Sequence, residues 1–240
     1  MSIIIEGTTA LVTGANRGIG AAVVEALVAA GAKRVYAAMR APEAARSERV
    51  VPIALDITDE ARVAEVAEIA SDVQVLVNNA GLAKGQPLVG GAPGATDEEM
   101  RVNYFGTLAM SRAFAPVLAK NGGGAIVNLL SILARVTLPQ FGSYAASKAA
   151  AWSMTQGLRG QLAAQGTLVV GVMPGFVDTE MASGVRAPKL APAEVAAAIV
   201  DALRTGTEDV YPGEAAAAIA SELQRDPKAV ERRFAARGSA

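Results

Sequence analysis

The chain has 240 residues, a formal net charge of −1, and neither cysteine nor histidine. The missing cysteines exclude disulfides and thiolate chemistry, and the missing histidines remove the commonest base and metal ligand. Acid–base work therefore falls to Tyr, Lys, Asp or Glu, and no metal site is expected.

Short β-branched runs alternate with longer Ala-rich helical patterns along the chain. Thr8–Val12 predicts a strand, and Gly18–Ala30 a helix with apolar residues at Ala22, Val23, Ala26 and Leu27. Val35–Ala38 and Val51–Leu55 follow as strands, then Asp59–Ala70 as a helix with an acidic first turn. Val73–Val77 is apolar except for Gln74, as expected inside a parallel sheet covered on both faces. Gly85–Gly94 predicts a surface loop, and Thr96 before Asp97-Glu98-Glu99 predicts the cap of a helix running to about Lys120. Ala125–Leu129 and Leu168–Val172 read as strands, with Ser143–Ala164 a helix between them. Pro192–Arg204 is a helix, Glu208–Tyr211 a last strand, and Ala-rich helical sequence follows from Glu214. This alternation predicts one α/β domain, a doubly wound parallel sheet of seven strands with helices on both faces, spanning residues 1–240 with an extra helical tail at about 214–240.

A near-neutral charge and 4% aromatic residues give no basis for nucleic acid as a partner. No stretch reaches the length of a membrane span, and the N-terminus lacks the pattern of a signal peptide, so a cytoplasmic protein with no membrane partner is the expectation.

The turn Thr13–Gly20, T-G-A-N-R-G-I-G, follows the first strand and opens the first helix, the context a phosphate-binding glycine turn requires. Gly14 permits the sharp turn, Gly18 admits a pyrophosphate close to backbone, and Gly20 lets helix and strand pack. The helix start, with Asn16, Arg17 and Ile19, offers free N–H groups and a partial positive charge. After the second strand stands Arg40, where a carboxylate would accept the ribose hydroxyl of NAD. Arg17 and Arg40 together suit a 2′-phosphate, which favours NADP(H); the alternative is that Arg40 is a solvated strand-end residue.

Downstream, Ser131, Tyr144 and Lys148 stand as S-(x)12-Y-x-x-x-K. Tyr144 and Lys148 share one helix face. A free tyrosine titrates at about 10. A neighbouring ammonium favours the phenolate, which brings the phenol toward the range of a useful acid or base. Ser131 lies just past the end of a strand, where ligands gather in open α/β sheets, and its hydroxyl suits a substrate oxygen on which charge develops. Without the glycine turn, a Tyr and a Lys on a helix face are ordinarily a buried ring and a solvated amine.

Over about its first 200 residues the chain resembles the short-chain dehydrogenase/reductase family. The motifs, in order, are Thr13–Gly20, Asp56-Ile57, Asn78-Asn79-Ala80-Gly81, Asn103, Ser131, Tyr144-x-x-x-Lys148 and Pro174-Gly175-Phe176-Val177-Asp178-Thr179. The resemblance implies a Rossmann-type sheet and a homodimer or homotetramer formed through the helices carrying Asn103 and Tyr144. It implies that Tyr144 is the acid/base, that Ser131 polarises a carbonyl, and that Lys148 holds the nicotinamide ribose and lowers the phenol's pKa. Asn103 would hold a water of a proton relay. Asp56 and Ile57 would contact adenine, Asn79, Ala80 and Gly81 would pass the cofactor ribose, and Pro174, Gly175, Val177 and Thr179 would line the nicotinamide end. The chain departs from the family in the apolar Leu129-Leu130-Ser131-Ile132-Leu133 and in its long tail, for which covering a neighbouring subunit is one reading.

The expected activity is reversible, NADP(H)-dependent reduction of a ketone or aldehyde to an alcohol. Leu82, Leu133, Val136, Leu138, Phe141, Phe176 and Met181 are expected to line a pocket for a small hydrophobic carbonyl or alcohol substrate. Arg135, Arg186 and Lys189 offer the alternative of an acidic substrate. Two other readings are a 3-oxoacyl-thioester reductase and a non-catalytic dinucleotide-binding regulator.

Overall fold

The computed structural model describes residues 1–42, 44 and 47–237. Its strands are β1 (Thr9–Thr13), β2 (Arg34–Met39), β3 (Val50–Ala54), β4 (Val75–Asn78), β5 (Ala125–Leu129), β6 (Leu168–Val172) and β7 (Asp209–Val210). They form one seven-stranded sheet in the order β3-β2-β1-β4-β5-β6-β7. Every pair is parallel, with Val12 beside Val77 and Val77 beside Val127. The chain winds outward from β1 to β3, then crosses to β4 and winds the other way. The switch lies between β1 and β4, and in such sheets ligands bind beyond the strand ends at that point.

The helices are α1 (Gly18–Ala29), α2 (Glu60–Ile69), α3 (Ala95–Met100), α4 (Thr107–Lys120), α5 (Gly142–Leu162), α6 (Pro192–Thr205), α7 (Glu214–Arg225) and α8 (Pro227–Ala236). Period-two alternation in the strands sends Ala10, Val12, Val75 and Val77 to one face, where Val23 and Leu27 of α1 and Val195 and Ile199 of α6 cover them. Leu11, Leu76 and Ile126 point to the other face, under Val66 of α2, Phe114 of α4 and Leu158 of α5. Burial on both faces explains why these strands read as continuous apolar runs.

The helix expected from Thr96 differs in two ways. Its cap is Gly94, in the left-handed region at φ +78°, and no side chain caps it. Between α3 and α4 lies a π-helical turn, Arg101–Gly106. A side chain at Gly106 would come within 2.7 Å of Ile57, so the absence of one lets this turn seat against the loop after β3. Asp59, expected inside its helix, is instead the cap of α2, accepting from the Arg62 N–H at 3.0 Å. The last strand has two residues, and the tail forms two helices rather than one run.

Candidate active site

The glycine turn is built by close packing. Gly14 and Gly18 have φ of +65° and +55°, a region that favours glycine. A side chain on Gly20 would collide with the carbonyl of Gly14 and with the Asn79 amide at 2.5 Å. Asn79 Nδ2 donates to the Thr13 carbonyl at 2.8 Å and the Gly14 carbonyl at 3.1 Å, tying the turn to the end of β4. The N–H groups of Asn79 and Ala80 both donate to Thr13 Oγ1 at 3.0 Å. Arg17 occupies the cap position of α1 with no side-chain cap bond, and no acid stands in the first turn. The leading N–H groups of α1, including those near Ile19, are therefore free to meet an anion.

Around this turn the other candidate residues take their places. Asn78 donates to Asn128 Oδ1 at 2.9 Å, and Asn128 donates to Thr155 Oγ1 at 3.0 Å, a buried polar chain across β4, β5 and α5 that sequence reasoning did not anticipate. The Asp56 carboxyl is held below its ordinary range, chiefly by the Thr58 N–H and hydroxyl and then, against burial, by the charge of Arg40. Ile57 is buried. Val177 bridges to Leu190, and Thr179 lies so close to the glycine turn that a side chain on Gly18 would stand 3.0 Å from its methyl. The carbonyl of Pro174 accepts from the Ile132 N–H at 2.9 Å, and Gly175 follows it over the strand ends. Among the described residues Arg17 and Arg40 share no partner: Arg17 pairs with Glu180, while Arg40 is exposed beyond β2 with its charge acting on Asp56.

Ser131, Tyr144, Lys148 and Asn103 are brought to the end of β5. Ser131 is extended and buried, its hydroxyl accepting from the Leu133 N–H at 3.1 Å and acting on the Tyr144 phenol. Tyr144 and Lys148 lie on successive turns of α5, the ammonium 5.8 Å from the ring centroid. Lys148 is 5% exposed, and its Nζ donates to the Leu129 carbonyl at 2.7 Å. Asn103, in the π turn, accepts from the Leu82 N–H and donates to the Leu82 carbonyl, both at 2.8 Å, and donates to Ser147 Oγ at 2.9 Å. A side chain on Gly81 would meet Asn103 Oδ1 at 3.2 Å and Lys148 Nζ at 3.5 Å, so its absence lets the three converge.

Burial pushes the Tyr144 phenol up to about 12; the Ser131 hydroxyl opposes this, and the Glu99 charge adds to it. Burial likewise pulls the Lys148 ammonium down to about 8. Removal from water is the largest influence on the phenol, and Ser131 supplies its lowering. Glu99 itself escaped sequence reasoning. It is fully buried, and one carboxylate oxygen accepts from the N–H groups of Lys84 and Gly85 at 2.7 and 3.2 Å.

The apolar residues sort into two groups. Leu133, Val136, Leu138, Phe141 and Phe176 form one cluster with Tyr144, the two phenylalanine rings 6.3 Å apart. Leu82 lies on the Asn103 side of the site. Met181 is 55% exposed in a short 3-10 turn, outside the buried cluster. Val230 and Phe234 of the tail join the cluster, so the tail packs on its own chain. Two of the cations considered for an acidic substrate are engaged: Arg135 donates to the Tyr211 hydroxyl at 2.7 Å, and Lys189 lies 3.7 Å from Asp178.

The family model described as short chain dehydrogenase matches residues 8–190. A sorbitol dehydrogenase of Cereibacter sphaeroides is 38% identical over 193 residues, 76% of this chain and 75% of that protein. A galactitol 2-dehydrogenase (L-tagatose-forming) of the same organism is 38% identical over 188 residues, 74% of each. Among solved structures, a short chain dehydrogenase from Burkholderia cenocepacia J2315 in complex with NADP superposes with a TM-score of 0.94 at 48% identity, covering 97% of this chain and 99% of that one. The strand order, the glycine turn and the extent of these matches lead to one conclusion: this chain belongs to the short chain dehydrogenase family.

Proposed function

We propose that the protein is an NADP(H)-dependent oxidoreductase that interconverts a small apolar ketone or aldehyde and the corresponding alcohol. The observation that carries this reading is the grouping of buried Ser131 and Lys148 with half-buried Tyr144 at the strand ends, beside a glycine turn with free N–H groups. The residues present fit a dinucleotide: Gly14 and Gly20 let the turn pack against Asn79, Gly18 admits the pyrophosphate close to backbone, the start of α1 faces its phosphates, and Asp56 and Ile57 flank the adenine side. Arg40, with no acid at the end of β2, suits the 2′-phosphate, in keeping with the NADP held by the Burkholderia protein. When bound, the nicotinamide supplies or accepts a hydride.

The chain's own residues do the rest. Ser131 holds the substrate oxygen, and Tyr144, a neutral phenol in this environment, donates its proton to that oxygen during reduction. Lys148, pulled toward neutrality, exchanges a proton near physiological pH and so restores the phenol. Asn103 fixes the backbone of Leu82 and, through Ser147, the first turns of α5.

The polyol relatives do not set the substrate here. The wall built by Leu133, Val136, Phe141 and Phe176 has no groups to satisfy a row of hydroxyls, and each one buried unpaired costs roughly 1–3 kcal/mol. The test is steady-state reduction of aryl ketones and aliphatic aldehydes with NADPH and with NADH, alongside oxidation of hexitols. Aryl ketones with NADPH are expected to dominate, and Tyr144→Phe is expected to lose at least about a thousandfold in kcat while still binding NADPH. A Tyr144→Phe variant at full speed, or hexitols as the better substrates, would overturn the reading.

A further inference from the structure

Between β4 and α3 the chain runs past the start of α5, and three polar side chains hold it in succession. Asn103 holds Leu82 through both its N–H and its carbonyl, at 2.8 Å each. Glu99, one turn earlier in the same helical run, accepts from the N–H groups of Lys84 and Gly85. Ser143 then pairs with Gln86 both ways: its Oγ accepts from the Gln86 N–H at 3.2 Å, and its own N–H donates to the Gln86 carbonyl at 3.0 Å. Close packing seals the same joint. A side chain on Gly85, at φ +59°, would stand 2.8 Å from the Phe141 ring, and one on Gly142 would stand 2.8 Å from Leu88. Ser143 immediately precedes Tyr144, so what fixes the segment from Leu82 to Gln86 also fixes the first turn of α5 and the root of the phenol.

The middle rung of this strap carries more than it needs for holding. Glu99 is fully buried, one oxygen takes both N–H bonds, and the other has no partner among the described residues. A neutral amide oxygen could accept the same two N–H bonds, at a lower cost of burial than a charge. The charge has an object across the contact between α3 and α5: it acts on the Tyr144 phenol and opposes its ionisation, which would set a second negative charge in a poorly solvated place. The other charged groups on the surrounding elements are engaged or exposed. Lys148 is drawn toward neutrality by burial, Lys84 pairs with Glu98 at 2.6 Å, and Asp97 and Arg101 are exposed. Beyond the turn after Ser131, Arg135 donates to the Tyr211 hydroxyl, and in the tail Arg233 pairs with Glu222.

We infer that Glu99 is a positioning residue for Tyr144: its two backbone bonds hold the strap against the start of α5, and its negative charge keeps the phenol protonated, as the proton donor of the proposed reduction. The inference rests on that reaction and deepens it.

The experiment separates the bonds from the charge. In NADP-loaded protein, ionisation of Tyr144 is read as the phenolate absorbance that appears within milliseconds of an alkaline pH jump, before unfolding, with Tyr144→Phe in the same background as the blank. Glu99→Gln keeps an oxygen for the two N–H groups and removes the charge, so its phenol is expected to ionise at lower pH than that of the wild type. Glu99→Met loses the bonds as well. It should show the same acid shift, and in acetophenone reduction with NADPH its kcat should fall roughly tenfold below that of Glu99→Gln. Ser143→Ala loosens the strap and leaves the charge, so kcat should fall with no shift in the titration. Asp97→Asn, exposed on the same helix, should move neither. Should Glu99→Gln fail to fold by circular dichroism, Glu99→Met gives the titration and Ser143→Ala the test of the strap. A Glu99→Gln phenol that ionises at the wild-type pH, or a Ser143→Ala enzyme with wild-type kcat, overturns the inference and leaves the carbonyl-reductase reading intact. A wild type that reduces neither ketones nor aldehydes defeats that reading alone, and the titration then decides the role of the Glu99 charge.

Discussion

Lys148 sits where an ammonium is poorly solvated: 5% exposed, with its pKa drawn down to about 8 by burial. Between pH 8 and the ordinary lysine range, the unfolded chain still holds a proton that the folded chain has released. Stability from this group therefore rises with pH across that window, by roughly 1.4 kcal/mol per unit within it, while below pH 8 the folded ammonium bears its full burial cost. The unfolding free energy of the wild type minus that of Lys148→Met should accordingly climb from pH 8 to pH 10. Parallel curves in a denaturant series would place the amine in water instead. Glu99 presents a related tension. Its second carboxylate oxygen is buried with no hydrogen-bond partner among the described residues, and its charge raises the Tyr144 phenol. A buried charge kept only partly satisfied is costly. Here it holds the backbone of Lys84 and Gly85, which leads into the loop tied to Ser143 at the start of α5.

At the scale of elements, the β1–α1 connection depends on close packing. Gly20→Ala drives a methyl into the Gly14 carbonyl and the Asn79 amide. The expected loss is roughly 1–3 kcal/mol, about 2–4 °C in Tm per kcal/mol for a chain of this size, with weakened dinucleotide binding. Gly160→Ala, on open surface of α5, should instead leave Tm level or raise it slightly. Calorimetry of the two variants checks both. The glycine turn was legible in the sequence because its requirement is local: a strand, a tight turn, a helix start. The strands were legible because burial on both faces leaves unbroken β-branched runs. The π turn around Asn103 was not. It depends on contacts made only in the fold, with Ile57 against Gly106 and the Asn103 amide on the backbone of Leu82. Met181 is apolar and near Phe176 in sequence, and it lies exposed in a short 3-10 turn. Phe234 carried a visible signal, its i, i+4 spacing with Val230, but nothing local told which surface that pair would cover.

Across the whole molecule, the strand order divides the labour. The β3-β2-β1 wing presents Arg40 and Asp56, and the β4-β5-β6 wing presents Ser131 and the segment from Pro174 with Phe176. Between β2 and β5 stand β1 and β4, so the two ends are three strand spacings apart, about 14 Å. Residues that far apart with no shared partner combine their effects with little cross-talk, within roughly 0.3–0.5 kcal/mol. Choice of coenzyme and choice of substrate are thus separable dials on this scaffold. A double-mutant cycle of Arg40→Asp with Phe176→Ala should return the product of the two single effects on kcat/KM. Each selectivity could then be retuned, by selection or in the laboratory, without first undoing the other.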